Sequence, residues 1–159
     1  MGVRRRARTG RGRRAGAGLI LLHIVARGKI GRSPEAALVD RYLGRIAWPT
    51  RVTELPDRGG RLPGVEGQTK RVLLDEKGEA LPSAALAERL GRWRDDGVRE
   101  ARFELGAADG FDDGTRAGAD LLLSFGRATW PHLLARAMLA EQLFRSVSIL
   151  AGHPYHREG

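Results

Sequence analysis

Hydrophobic positions along the chain change period several times, and each change marks an element. Residues 19–26 (LILLHIVA) form a near-continuous apolar run of strand-forming residues, the pattern of a buried central strand. His23, inside that run, reads as a hydrogen-bonded core histidine rather than a ligand. The spacing then turns helical. Ser33 stands where an N-cap is needed, Pro34 at the first helical position and Glu35 in the first turn. Leu38, Tyr42 and Ile46 recur every fourth residue, which gives this helix one apolar face, and Trp48-Pro49 closes it. Residues 51–55 (RVTEL) predict a second strand, and the Pro- and Gly-rich stretch 56–69 a surface loop. Residues 71–75 (RVLLD) predict a third strand with a turn at Glu76-Lys77-Gly78. A helix follows from Ser83, with Leu86, Leu90 and Trp93 inward and Gly97 placed to end it. Residues 101–106 and 119–125 predict the fourth and fifth strands, with a turn at AADG between them, and a last helix runs from Pro131 to Gly152.

Alternating strands and helices of this kind predict an α/β domain with a mostly parallel five-stranded sheet and helices on both faces. Ligands of such sheets bind outside the carboxyl ends of the strands. That rule selects the loops 75–82, 106–114 and 125–131. The last helix carries Leu134, Met138, Leu139, Leu143, Phe144, Val147 and Leu150. This band is too wide for a helix wet on one side, and it predicts packing on the sheet and against a second copy of the chain.

Composition changes this picture in three places. The chain has no cysteine, so disulfides, thiolate metal sites and cysteine nucleophiles are excluded. No apolar run approaches the roughly 18–20 residues that span a bilayer, and the run 19–26 is short and contains a histidine. A membrane protein and a secretory signal are therefore not expected, and the expected compartment is the cytoplasm. The formal charge of +9 is uneven: residues 1–18 hold seven arginines and no acid, while the remainder carries 21 basic and 19 acidic residues. Residues 1–18 (MGVRRRARTGRGRRAGAG) are expected to be a disordered tail, either binding RNA phosphates by charge or forming an inert extension, ahead of one folded domain over 19–159.

Three segments hold candidate chemistry. In FELGAADGF (103–111), Gly106, Ala107 and Gly110 follow a strand directly, so a ligand can approach the backbone; the same residues also suit a plain tight turn. In SFGRATWPH (124–132), Gly126 permits an unusual backbone angle and Trp130 either covers a ligand ring or joins the core. HPYHRE (153–158) gathers two histidines, a tyrosine and an arginine suited to proton transfer, base stacking and phosphate contact; as a chain end it also suits fraying. A metal held by His153 and His156 lacks a third ligand at a recognised spacing, so no metal is expected. Glu141 and Arg145, four apart on the last helix, form either a surface ion pair or a buried one, or leave Arg145 to reach the active site.

The segments LLDEKGEALPSAALAERL, FELGAADGF, LLLSFGRATWPHLLARAMLAEQLFR and AGHPYHRE occur in this order over residues 19–158. In combination they resemble the bacterial 23S ribosomal RNA pseudouridine N3-methyltransferase family of the SPOUT superfamily. The resemblance implies a C-terminal trefoil knot, a homodimer, and S-adenosylmethionine as methyl donor. It places the cofactor at Leu74, Asp75, Gly106, Ala107, Gly126, Arg127, Ala128, Thr129, Trp130 and Pro131. Proton removal from a pseudouridine N3 falls to Tyr155 or His156, with Arg157 or Arg145 holding phosphate or the developing anion. The implied partner is ribosomal RNA in the large subunit or the assembled ribosome. The alternatives are a SPOUT methyltransferase acting on another RNA such as tRNA, or a non-catalytic RNA- or ribosome-binding module. Three departures stand out: Ala107 and Gly126, where the family commonly has glycine and serine, and a short 56–70 stretch without the family's usual helix.

Overall fold

Five strands form one all-parallel sheet in the computed structural model, which describes residues 19–107 and 109–155. They are β1 (Leu21–Arg27), β2 (Thr50–Leu55), β3 (Thr69–Glu79), β4 (Glu100–Leu105) and β5 (Leu121–Leu123), in the spatial order β2-β1-β4-β3-β5. The helices are α1 (Pro34–Arg45), α2 (Ser83–Asp95), α3 (Asp113–Ala117) and α4 (His132–Leu150). Among the described residues no helix is long and apolar enough to cross a membrane. The arginine-rich segment 1–18 and residues 156–159 lie outside the described residues.

The local signals act as their chemistry dictates. The Ser33 hydroxyl caps α1 by accepting from the Ala36 N–H at 3.2 Å. Gly97, at φ +81°, ends α2 and lets the Val98 N–H return to the Trp93 carbonyl at 3.0 Å. The main core contains Leu22, Ile24 and Ala26 of β1, Val72 of β3, Ala101, Phe103 and Leu105 of β4, and Leu121 and Leu123 of β5. These are alternate residues, so they share one face of the sheet. Leu86, Leu90 and Trp93 of α2 and Leu139, Leu143 and Val147 of α4 cover that face, with Leu43 of α1 and Ile46 just after it at its margin.

The expectation of helices on both faces is met unequally. All three long helices share the apolar face, and α3 reaches the other through Arg116, which binds Asp75 of β3. The Pro- and Gly-rich residues between β2 and β3 cannot form a helix there, and they lie over the second face as a strap. Arg102 of β4 fixes it, donating from Nη1 to the Pro63 carbonyl at 2.9 Å and from Nη2 to the Gly64 carbonyl at 3.0 Å.

Four details differ from the sequence reading. Residues 76–78 are not a turn: β3 runs on to Glu79, which pairs with Leu123 after a register shift. Gly78 makes this possible, because a Cβ there would lie 2.6 Å from the Leu122 carbonyl carbon and oxygen. β5 is correspondingly only three residues long, and Ser124 just beyond it still donates its N–H to the Glu79 carbonyl at 2.9 Å. A short helix, α3, follows the second loop, capped by Asp112, which accepts from the Thr115 N–H at 2.7 Å. On α1 the fully buried residue is Val39, packed against Ala137 and Ala140 of α4, whereas Leu38 and Tyr42 are half-buried, because α1 leans on α4.

Candidate active site

The three loops chosen by the strand-end rule are shaped by different means. At the register shift in β3 that follows Leu74, Asp75 is locked: the Lys77 N–H donates to Oδ1 at 2.9 Å and Arg116 Nε to Oδ2 at 2.6 Å. Burial alone would raise the Asp75 pKa, but those two donors outweigh it and hold the carboxyl below its ordinary range. Asp75 is thus an ionised brace between β3 and α3, and Leu74 beside it faces the core margin.

After β4, Gly106 lies against the ring of Phe111, which would meet a Cβ at 3.1–3.3 Å. The turn beyond it closes through the Gly110 N–H and the Ala107 carbonyl at 2.9 Å, with Gly110 at φ +78°. After β5, Gly126 adopts φ +107°, which an L side chain rarely tolerates. Ser124 fixes that bend: its hydroxyl donates to the Gly126 carbonyl at 2.9 Å and accepts from the Gly126 N–H at 3.1 Å. Trp130 is 43% exposed, its Nε1 donating to the Phe125 carbonyl at 3.4 Å, so it is not a core residue. Among the described residues no backbone hydrogen bond engages Gly106, Arg127, Ala128 or Thr129. Polar main chain left unpaired at a strand-end cleft is available to a ligand.

A second cluster stands on α4. Glu141 Oε1 accepts from Arg145 Nε at 2.9 Å, from Arg145 Nη2 at 2.6 Å and from the Tyr155 hydroxyl at 3.1 Å. The Tyr155 ring packs on Phe144 with centroids 4.6 Å apart, and the Arg145 guanidinium carbon lies 5.0 Å from its centroid. Burial, reinforced by the Glu141 carboxylate, pushes the Tyr155 phenol up to about 12. Hydrogen bonding to Glu141 likewise raises the Arg145 pKa. A cavity of about 710 Å³ joins the two regions, with Phe125 and Gly126 on one wall and Met138 and Glu141 of α4 on another.

The family model of predicted SPOUT methyltransferases matches residues 20–156, almost the whole chain. The chain belongs to the SPOUT methyltransferase family. Its similar relatives include several named ribosomal RNA large subunit methyltransferase H. That of Rhizorhabdus wittichii is 74% identical over 140 residues, covering 88% of this chain and 100% of the relative. That of Novosphingobium aromaticivorans is 67% identical over 141 residues, with the same coverage. That of Zymomonas mobilis is 56% identical over 140 residues, covering 87% of this chain and 99% of the relative.

In this methyltransferase the sequence-predicted residues fall into two groups. Gly106, Ala107 and 126–131 are loop residues at the carboxyl edge of the sheet, whereas Arg145 and Tyr155 belong to the α4 cluster. His156 and Arg157 lie outside the described residues. Among the described residues no three His, Asp or Glu side chains gather as a metal site. Sequence reasoning treated Glu141 only as an ion-pair partner and did not single out Ser124, Phe111 or Arg116. Spacing showed the Glu141–Arg145 pair, but the return of Tyr155 to Glu141 depends on the chain reversing after α4, where Gly152 takes φ +71°.

Proposed function

We propose that this SPOUT methyltransferase transfers a methyl group from S-adenosylmethionine to N3 of a pseudouridine in 23S ribosomal RNA. The observation that carries the reading is the match along the full length of relatives named for large-subunit ribosomal RNA methylation. The loop geometry suits the cofactor. A nucleoside ring can be read by unpaired main chain at Gly106 and 127–129, with Gly126 held in its bend and Trp130 exposed beside it. Leu74, Ala107, Ala128 and Pro131 complete the cradle, with Asp75 bracing it from behind. Bound there, S-adenosylmethionine supplies a methyl group on a sulfonium.

The chain's own residues must hold the base and remove the N3 proton. Tyr155 is a poor base near neutral pH, because its proton already serves Glu141 and its pKa is pushed up to about 12. We therefore assign His156 the proton and Tyr155 a positioning role, with Arg157 on RNA phosphate and Arg145 near the developing anion. The enzyme works in the cytoplasm as a homodimer in this reading. Leu38 and Tyr42 of α1 and Leu134 and Met138 of α4 line the open cavity and would be covered by a second copy. The C-terminal knot belongs to the same reading.

The test is incubation of the protein and S-adenosylmethionine with ribosomes lacking the modification, followed by mass analysis of the nucleosides. Methylated pseudouridine in 23S RNA is the expected product. Methylation confined to transfer RNA, or cofactor binding without methylation of any RNA, would replace this reading.

A further inference from the structure

The positive charge of the described chain is not spread evenly over the molecule. On the β1–β2 side of the sheet's carboxyl edge, two loops lie side by side. One joins β1 to α1 and carries Lys29 and Arg32; the other begins the strap after β2 and carries Arg58 and Arg61. All four side chains are exposed, and none makes an ion pair or hydrogen bond among the described residues. Most other cations near the sheet are spent: Arg71 on Glu104, Arg102 on Glu100, Arg116 on Asp75, Arg136 on Glu54.

The two loops are built to stay where they are. Arg27 Nη1 donates to the Pro56 carbonyl at 2.9 Å and to the Gly59 carbonyl at 2.6 Å, so the end of β1 holds the start of the strap. Glu54 Oε2 accepts from the Ile30 N–H at 2.7 Å and from Arg136 Nη1 at 2.7 Å, and Arg136 Nη2 donates to the Gly28 carbonyl at 3.1 Å. Arg136 is only 1% exposed, so this tie is a buried anchor from α4 to the β1–α1 loop. The same geometry brings the rim beside the cofactor loop. A Cβ on Gly28 would lie 3.8 Å from Nε2 of His132, the first residue of α4, and 3.2 Å from Oδ1 of Asp57. Asp57 is the only acid in residues 27–33 and 56–61, against five cations there.

We propose that Lys29, Arg32, Arg58 and Arg61 form a preorganised phosphate rim that grips the RNA strand flanking the target nucleotide. The inference rests on the RNA-methylating reading above and names the surface that reading needs. Exposed, unpaired cations on loops pinned from behind can neutralise phosphates without first breaking internal ion pairs. Their place next to the start of α4 puts the grip beside the cofactor loop 126–131 rather than on a remote face. A strap too rich in Pro and Gly for a helix, which leaves Arg58 and Arg61 on a tethered turn, thereby gains a role in substrate binding.

The test measures binding of 23S ribosomal RNA to the full chain by fluorescence anisotropy across a salt series. The rim variant is K29A/R32A/R58A/R61A, and the control is R89A/R92A, two equally unpaired arginines on α2. S-adenosylmethionine affinity and melting temperature are followed in each. The rim variant should bind RNA at least tenfold more weakly at moderate salt. Its slope of log affinity against log salt should flatten by about three, the release expected for four lost contacts. Its cofactor affinity and melting temperature should stay unchanged, and R89A/R92A should bind RNA as the unaltered chain does. Equal losses in both variants, or a loss only in R89A/R92A, would overturn the proposal. So would unchanged binding in the rim variant. If the unaltered chain binds S-adenosylmethionine but no ribosomal RNA, the functional reading fails instead, and the two failures are told apart.

Discussion

On β4, Phe103 and Glu104 are adjacent in sequence and almost equally hidden, at 0% and 4% exposure, yet they live in opposite chemistries. Phe103 points into the apolar cluster beneath α2 and α4. Glu104 points to the other face, where Arg71 of β3 donates to both its oxygens at 2.7 and 3.0 Å. One step toward the start of β4, Ala101 and Glu100 repeat the contrast. Glu100 is held by Arg102 Nε at 2.8 Å and by His23 Nδ1 at 3.2 Å, and Thr53 Oγ1 lies 2.7 Å from His23 Nε2. The helix face gains from any well-fitting apolar atoms, whereas the strap face is stable only while each charge keeps its partner. A sheet can therefore be buried on both sides while only one side reads as core.

The largest effect expected from this contrast is on the helix face. Phe103→Ala should cost about 4 kcal/mol of unfolding free energy, because it leaves a cavity in a close-packed cluster. Urea denaturation measures it, and a loss under about 1 kcal/mol would mean that the cluster collapses without penalty. Next comes Arg102→Ala on the strap face, expected to cost about 3 kcal/mol by leaving Glu100 buried with one partner fewer. It should also release the strap, since the same guanidinium holds the Pro63 and Gly64 carbonyls. Hydrogen exchange should accelerate in the strap for Arg102→Ala and not for Phe103→Ala at matched stability. Equal exchange in the two variants would dissolve the distinction between the faces.

The sequence carried the helix face well and the strap face poorly, for a physical reason. Apolar alternation at Leu22, Ile24, Phe103 and Leu123 marks a core directly, and capping at Ser33 and Gly97 places the ends of helices. The charged partners Arg71, Glu100, Arg102 and Glu104 lie on two strands whose adjacency no local pattern reveals. Buried, they look in sequence like solvated residues. The strap shows the same limit: its Pro and Gly content announces a loop but not what the loop covers. At the site, the bend at Gly126 was legible because backbone freedom is a local property, whereas the closeness of Gly106 to the Phe111 ring was not. The meeting of Tyr155, Glu141 and Arg145 was not, since it needs the chain to reverse after α4.

The third expected effect is smaller and depends on pH. Burial alone would raise the Glu100 pKa, but hydrogen bonding from His23 and the charge of Arg102 hold it below its ordinary 4.5. A depressed carboxyl stabilises the fold fully above its unfolded pKa and loses that contribution as pH falls through the folded one. The unaltered protein should therefore lose stability as pH falls below about 4.5, and Glu100→Gln should flatten that acid slope while lowering stability at neutral pH. Phe103→Ala should leave the slope as it is. An acid slope that Glu100→Gln does not change would assign it to other carboxyls, Asp75 first, since that group is also depressed by its partners.

The smallest effect belongs to the charged cluster on α4 around Glu141. Tyr155→Phe keeps the ring on Phe144 and under Arg145 and removes only the hydroxyl that donates to Glu141 Oε1 at 3.1 Å. Loss of a single half-exposed hydrogen bond should cost about 1 kcal/mol at neutral pH. Its signature lies at the alkaline end, opposite in sign to that of Glu100. The Tyr155 pKa is raised from 10.0 to about 12, so the protonated phenol stabilises the fold fully below pH 10 and loses that contribution as pH rises through 12. Between those limits the unaltered protein should lose stability that Tyr155→Phe does not lose, and thermal melts across pH 9–12 would show the two curves converging. The same variant separates positioning from proton transfer. If Tyr155 only places the chain end, Tyr155→Phe should retain methyl transfer with its near-neutral pH profile unchanged, whereas a base acting through its phenol would take the reaction with it. Curves that stay parallel to the alkaline limit would show that Glu141 does not hold the phenol, and the cluster on α4 would then reduce to the Glu141–Arg145 pair.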